Sequence, residues 1–93
     1  MKAIWNGEVI AESDKIIELE GKVYFPPESV KKEYLHKNGD TYVCSWKGVC
    51  DYYDVTVDDK TAEGAAFIYP EPEEAAKEIA GWIAFWREMK IEK

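Results

Sequence analysis

The chain has few of the side chains and patterns from which common catalytic and metal sites are built. Its 93 residues include one histidine and two cysteines, whereas a closed structural zinc site uses four Cys or His ligands. The six glycines stand singly along the chain, so there is no glycine-rich phosphate loop. No apolar run approaches the roughly 20 residues of a membrane helix. The residues after Met1 do not have the apolar stretch of a signal peptide. We therefore expect a cytoplasmic protein that needs no metal or cofactor.

The balance of charge argues against nucleic acid and membrane surfaces as partners. Twelve Lys and Arg residues stand against 19 Asp and Glu residues, which gives a net charge of -7. The mean field of such a chain repels a phosphate backbone. Lys31, Lys32 and Lys37 form only a small basic cluster, with acidic residues beside it. We expect a solvated acidic surface on a monomer or weak homodimer.

The composition indicates one folded domain that spans residues 1–93. Hydrophobic residues make up 46% of the chain and aromatic residues 14%, which excludes a disordered chain. This length is enough for a core of its own. No linker or internal repeat divides the sequence.

Turn-forming residues divide most of the chain into short segments that are typical of antiparallel strands. Asn6-Gly7 suits the two positive φ angles of a type I′ turn and predicts a hairpin over residues 2–13. Gly21 separates a second pair of strands, and Pro26-Pro27 ends it because proline has no N–H for the ladder. The other predicted strands are those on either side of Lys47-Gly48, within residues 41–57, and a strand at residues 65–69.

Two segments that follow prolines carry helical signals. Behind Pro27, Val30 and Tyr34 stand at i, i+4, which predicts a short helix that stops near Asn38-Gly39. Pro72 opens a second predicted helix, because the acidic residues after it favour the positive end of a helix dipole.

The end of the second helix has two interpretations. Apolar periodicity could extend it through Trp86 as one long helix. Gly81 is a natural stop, however, and residues 82–86 are rich in strand formers. We prefer a helix to about Ala80 and then a closing strand. The whole pattern predicts a mainly β domain of short antiparallel strands, either a curled sheet or a two-sheet sandwich, with two short helices.

Seven motifs occur in an order that resembles one known family. They are Trp5-Asn6-Gly7, Ala11-Glu12-Ser13-Asp14, Tyr24-Phe25-Pro26-Pro27-Glu28-Ser29-Val30, Cys44-Ser45-Trp46-Lys47-Gly48, Tyr52-Tyr53-Asp54-Val55, Ala65-Ala66-Phe67-Ile68-Tyr69-Pro70 and Ala84-Phe85-Trp86. Together they resemble the domain of unknown function family 427 over nearly the whole chain. The resemblance implies an antiparallel β domain near the tent-like, zinc-binding Mss4 fold. It implies no established activity, although the family carries a nucleotidyltransferase-type name.

That name finds little support in the residues. Nucleotidyl transfer uses carboxylates that together hold two metal ions. Asp51 and Asp54 are three residues apart on a predicted strand, so their side chains face opposite sides. Asp58-Asp59 has the character of an ordinary turn.

The two thiols have three interpretations. If Trp46-Lys47-Gly48 is a three-residue loop, Cys44 and Cys50 lie opposite each other, which suits a disulfide or two zinc ligands. His36 is the only further Cys or His ligand and is predicted at a helix end, so a four-ligand zinc site cannot close. In a reducing cytosol we expect two free thiols, with a reversible disulfide as the alternative.

The candidate site combines polar-tipped aromatic residues with a lysine and a carboxylate. Trp46 lies at a hairpin tip, and Lys47 beside it suits cation–π contacts or capture of an anion. Strand alternation points Glu12 inward, where it needs a partner, and Lys47 is a candidate. We expect one concave surface that is formed by Glu12, Tyr24, Trp46, Lys47, Tyr53 and Tyr69, with Trp86 as its apolar floor.

Two classes of function fit these residues. The first is a binding module that holds a small molecule or an extended peptide in an aromatic groove. The alternative is a metal-independent hydrolase or isomerase with Glu12 and Lys47 as its acid–base couple. An enclosed Glu12 would favour the enzyme, whereas an open groove lined by rings would favour the binding module.

Overall fold

A computed structural model describes residues 1–93 as nine strands in two antiparallel sheets. The strands are β1 Lys2–Trp5, β2 Glu8–Glu12, β3 Ile17–Leu19, β4 Lys22–Phe25, β5 Leu35–Cys44, β6 Gly48–Val57, β7 Lys60–Ile68, β8 Ile83–Phe85 and β9 Lys90–Glu92. The small sheet has the order β2-β1-β9, and the large sheet has the order β3-β4-β8-β7-β6-β5. The predicted mainly β class is confirmed, in its two-sheet form.

Three hairpins are closed by two-residue turns in which both central residues have positive φ, as type I′ turns require. The turns are Asn6-Gly7, Glu20-Gly21 and Asp58-Asp59, with φ between 48° and 79°. Asn, Asp and Gly tolerate this left-handed conformation, whereas most other residues adopt it rarely. The predicted Asn6-Gly7 hairpin is confirmed, and Glu20 is the unusual residue among the three turns.

The two segments predicted as helices form 3-10 turns, at Pro27–Ser29, Lys32–Tyr34 and Glu74–Ile79. None has a side-chain cap, and the last is interrupted by non-helical angles at Ala76. Segments this short gain too little from helical hydrogen bonds to offset the cost of nucleation. No helix in the structure has the length and apolar character needed to cross a membrane.

Strand pairing, and not the helical sequence pattern, determines where the elements around residues 35–39 and 81–85 begin and end. Leu35 already pairs with Val55, so the predicted helix gives way to β5, and His36 lies opposite Asp54 on this strand. Asn38-Gly39 forms an irregularity inside β5 and is not a helix end. The closing strand predicted after Gly81 is confirmed as β8, which pairs with both β4 and β7.

The main core lies between the two sheets. Alternate residues of the large sheet face it, such as Phe25, Ala66 and Phe85, and the small sheet contributes Ala3 and Ile10. The other members of this cluster are Ala11, Val30, Val55, Val57, Ala62, Ala65, Ile83 and Met89.

A second apolar cluster covers the opposite face of the large sheet. The intervening residues of the same strands form it: Tyr24, Cys50, Phe67, Tyr69 and Ala84. Ala76 and Ile79 from the last 3-10 segment pack onto them. This segment is too short to cover the whole face, and the uncovered part forms a groove.

The tip of the β5–β6 hairpin is attached to the chain that leads into this covering segment. Glu73 N donates a hydrogen bond to Lys47 O at 2.8 Å. The approach requires glycine at position 48, where φ is +105° and a Cβ would lie 3.3 Å from Glu73 N and 3.5 Å from Pro72 Cα. Gly48 therefore helps to hold Lys47 in place.

Gly48→Ala is expected to lower the free energy of unfolding by about 1–3 kcal/mol, because alanine is strained at this φ and its methyl group crowds Pro72 and Glu73. Urea denaturation measures the change. Gly39→Ala is the matched control, since Gly39 also has positive φ but open space around its Cβ position. An equal loss in both variants would show that the contact with residues 72–73 contributes nothing.

Candidate functional site

The groove is a cavity of about 560 Å³ on the second face of the large sheet. Eight of its twelve lining residues are hydrophobic, so it is mainly an apolar site with a few polar groups. The lining consists of Glu20, Lys22, Tyr42, Cys44, Ser45, Trp46, Lys47, Cys50, Tyr52, Phe67, Tyr69 and Trp86. Residues from the turn after β3, from β4–β7 and from the end of β8 meet here.

Aromatic rings in mutual contact form one wall of the groove. Tyr52 and Trp86 lie nearly parallel, at 10° and 6.1 Å between ring centroids. Phe67 meets both rings edge-on, at 6.1 Å and 5.6 Å. Tyr52 and Trp86 remain partly exposed, so this wall offers ring surface to a ligand.

Trp86 is fixed through Gly64. The indole Nε1 donates to Gly64 O at 2.7 Å, and Gly64 N donates to Asp54 Oδ1 at 2.9 Å. The Arg87 guanidinium lies 4.4 Å from the centroid of the Trp86 ring. A Cβ on Gly64 would fall 2.5 Å from Arg87 Nη1. Glycine at position 64 thus permits the arrangement that holds the indole.

Lys47 brings a buried positive charge into the groove. Its side chain is only 9% exposed, and its ammonium lies 5.3 Å from the Tyr69 ring centroid and 5.7 Å from that of Trp46. Glu20 supplies the counter-charge, with Oε1 2.6 Å from Lys47 Nζ. Its other oxygen, Oε2, accepts a hydrogen bond from Trp46 Nε1 at 3.2 Å. The predicted cation–π contact of Trp46 with Lys47 is confirmed.

The protonation states follow from these contacts. Hydrogen bonds from Lys47 and Trp46 lower the pKa of Glu20 below its ordinary value. Burial pushes the pKa of Lys47 down, but the hydrogen bond to Glu20 and the ionisable groups of Tyr24, Glu20 and Cys44 outweigh it, so the net shift is upward. Lys47 is therefore an ammonium at neutral pH and has no free electron pair for nucleophilic or base chemistry.

A buried hydroxyl without a partner lies near this ammonium. Tyr24 is fully buried, and its Oη makes no hydrogen bond. Burial raises the pKa of Tyr24, while the charge of Lys47 acts in the opposite direction. Burial likewise raises the pKa of Tyr69, and the neighbouring Cys50 and Tyr24 raise it further. Both phenols are neutral donors at physiological pH.

Five of the seven predicted site residues meet at this groove. Trp46, Lys47, Tyr69 and Trp86 line it, and Tyr24 is packed in the second cluster beside them. The prediction that Glu12 and Tyr53 share this surface is wrong.

Glu12 lies at the end of β2 in the small sheet. It is exposed, and its carboxylate is 4.0 Å from the ammonium of Lys2, the residue opposite it on β1. The predicted Glu12–Lys47 couple is not formed, because Lys47 forms its ion pair with Glu20. The turn at Glu20-Gly21 brings Glu20 next to the tip of the β5–β6 hairpin, where Lys47 lies. Glu12 is at the end of β2, which belongs to the other sheet.

Tyr53 faces the opposite side of the large sheet from the groove. Cys50 and Tyr52 point into the groove, so strand alternation turns Tyr53 toward the main core. There it lines a smaller cavity with Leu35 and Ile68. Tyr52 is one of the groove residues that sequence reasoning missed, and its spacing of two from Cys50 on a strand was the available signal.

Glu20 was also missed, although its position carried a signal. It precedes Gly21 in a two-residue turn, where asparagine or aspartate would be the ordinary choice. A long acidic side chain at such a position suggests a role for that side chain beyond the turn.

The register of the central hairpin separates the two cysteines. The loop consists of residues 45–47, so Cys44 pairs with Gly48, and Cys50 pairs with Tyr42. The predicted opposition of the cysteines is therefore wrong. Diagonal neighbours on such a pair lie about 7–8 Å apart, and a disulfide needs roughly 3.5–4.5 Å between Cβ atoms. Both thiols are free, and burial raises the pKa of Cys50.

A second, polar cavity of about 480 Å³ adjoins the aromatic wall. Tyr52 lines both cavities. The other residues of the polar cavity are Asn38, Asp40, Thr41, Asp54, Glu63, Gly64 and Arg87. Three carboxylates and one guanidinium thus border it.

The carboxylates of β6 have structural partners. Asp54 Oδ1 accepts hydrogen bonds from Asn38 Nδ2 and Gly64 N, each at 2.9 Å. Asp51 Oδ2 lies 3.5 Å from Lys37 Nζ. No group of three or more His, Cys, Asp or Glu side chains is arranged to hold a metal ion.

The fold and groove define a small two-sheet antiparallel β domain with an aromatic site around a buried lysine. The chain belongs to the family described as a domain of unknown function (DUF427), whose model matches residues 1–93. A comparison with curated proteins gives no match. The resemblance inferred from the seven motifs is confirmed.

Glu20→Gln is expected to make the free energy of unfolding less dependent on pH between neutral and acid conditions. Because the folded protein lowers the pKa of Glu20, the ionised carboxylate stabilises the fold above the ordinary carboxyl range, and this contribution is lost as pH falls through the lowered pKa. The stability difference between wild type and Glu20→Gln should therefore be largest near pH 7 and decrease steadily as the pH falls into the acid range.

Urea denaturation across this pH range measures that difference. Glu18→Gln is the matched control, since Glu18 is an exposed carboxylate on the same hairpin that forms no ion pair within 4.0 Å. A pH-independent difference for Glu20→Gln would contradict the predicted contribution of the Glu20–Lys47 pair.

Proposed function

We propose that this protein is a small binding module whose groove holds a flat, partly apolar small molecule. The observation that carries this proposal is the partly exposed aromatic wall of Tyr52 and Trp86 in the same groove as the buried ammonium of Lys47. A cavity of about 560 Å³ lies within the range of small-molecule sites, which combine apolar walls with a few polar groups.

The energetics of the wall support a ligand. Large rings left partly exposed on a sheet face lose the stabilisation that burial would give them, and a flat ligand would supply it. The wall is also rigid, because Gly64 and Arg87 hold Trp86 and Phe67 supports both rings from the side. A preformed site binds without the cost of ordering its side chains.

An extended peptide is a second candidate, favoured by one observation. Strand β5 is at the edge of the large sheet, and its residue Tyr42 lines the groove. A free edge can pair with an added strand while the peptide's side chains enter the adjacent groove. Such a ligand would change the amide signals of residues 41–44 first.

The neutral aromatic probe 1-naphthamide tests the small-molecule proposal. Titration followed by NMR should give saturable shifts of the indole N–H signals of Trp46 and Trp86. Trp5 and Trp82 are internal controls because neither lines the groove. Equal shifts of all four indoles would indicate non-specific association and contradict the proposal, as would the absence of saturable binding.

Trp46→Ala is expected to weaken 1-naphthamide binding by about five- to tenfold, the size of one aromatic contact. The matched control is Val43→Ala, on the same hairpin, because Val43 is 69% exposed and does not line the groove. Equal affinities for both variants would contradict a role for the Trp46 ring in binding.

A further inference from the structure

We propose that the groove selects planar aromatic carboxylic acids, and that Glu20 occupies the carboxylate position until such a ligand displaces it. This inference rests on the proposed binding function and specifies its ligand class. The Glu20 carboxylate uses both oxygens, one toward Lys47 Nζ at 2.6 Å and one toward Trp46 Nε1 at 3.2 Å. A ligand carboxylate has the same two oxygens to offer.

The conformation of Glu20 indicates that its side chain is placed there despite a local cost. The residue has φ +52° in a turn whose other examples in this chain begin with Asn6 and Asp58. Glutamate gains nothing from the left-handed conformation, and only a long side chain can reach from this turn to Lys47. The contact with Lys47 is therefore what glutamate provides at this position and asparagine does not.

The pair is asymmetric in a way that makes displacement possible. The Lys47 side chain is 9% exposed, whereas Glu20 is 52% exposed. A ligand that removes Glu20 sends it into water, where it is readily solvated, while the buried ammonium exchanges one carboxylate for another. The ammonium itself must keep a partner, because an unpaired buried charge is costly.

The surroundings of Lys47 favour an anion over a neutral group. The charged residues of the groove are Lys22, Lys47 and Glu20, so its charge without Glu20 is positive on a chain of net charge -7. This positive site attracts anions locally although the molecule as a whole repels them.

The geometry also explains why the acid should be aromatic and compact. Trp46 and Tyr69 flank the ammonium, and Tyr52 and Trp86 form the wall of the same cavity. A ring attached directly to a carboxylate would lie in this cavity while its oxygens contact Lys47 and Trp46. Aryl carboxylates combine both features in a molecule small enough for the groove.

The test compares 1-naphthoate with 1-naphthamide, which has the same shape but no charge. Wild type should bind 1-naphthoate at least about fivefold more tightly, as expected for a charge-assisted contact. Glu20→Asn should tighten 1-naphthoate by about threefold and change the affinity for 1-naphthamide by a clearly smaller factor, because it removes an exposed competing carboxylate and suits the turn.

Two further variants complete the design. Lys47→Met keeps most of the length of the side chain but removes the charge, and should abolish the preference for 1-naphthoate while 1-naphthamide still binds. Glu18→Gln changes the net charge by the same amount on the same hairpin, away from the groove. It should affect 1-naphthoate less than Glu20→Asn does.

Each outcome has a defined meaning. Equal affinity of wild type for the two probes, or unchanged 1-naphthoate affinity in Glu20→Asn, overturns the carboxylate proposal and leaves the binding function standing. If neither probe binds to the groove, the proposed function fails as well. Binding of the dipeptide Gly-Trp more than tenfold more tightly than 1-naphthoate would instead identify a peptide C-terminus as the ligand and overturn the small-acid proposal.

Discussion

Burial of both faces of the large sheet is the constraint on which the rest of the structure depends. Its strands place large apolar side chains on alternate sides, as Tyr24 and Phe25 do on β4. The small sheet covers one face, and the 3-10 segment Glu74–Ile79 covers part of the other. The groove is thus the portion of an apolar face that the chain leaves uncovered, which is why its walls are aromatic.

Local chemistry made much of the fold predictable, and long-range pairing made the rest unpredictable. Asn6-Gly7 identified its hairpin because the positive φ angles depend only on the turn residues themselves. The helix predicted before Asn38 failed because Leu35 and His36 pair with β6 residues about 20 positions later. No helical signal within one segment can report a competing strand elsewhere in the chain.

The candidate site divides in the same way. Trp46 and Lys47 could be placed together because they are neighbours at a hairpin tip. The partner of Lys47 could not, since Glu20 reaches it from another hairpin and Glu12 had the same charge and a plausible strand position. Alternation along β6 places Tyr52 on the face of Cys50 and Tyr53 on the other face, but which of these faces forms the groove depends on how the rest of the chain packs against the sheet. The relation to the Mss4-like fold stays a prediction.

Tyr52 lines the aromatic groove and the polar cavity at once, with the Arg87 guanidinium 5.7 Å from its ring centroid. The two cavities therefore share a wall, and they are not thermodynamically independent if an occupant of either one moves this ring. Thermodynamic linkage requires that any such effect be reciprocal: the factor by which one occupant alters the affinity for the other is the same in both directions. Any coupling between the two cavities would thus pass through a single phenol ring.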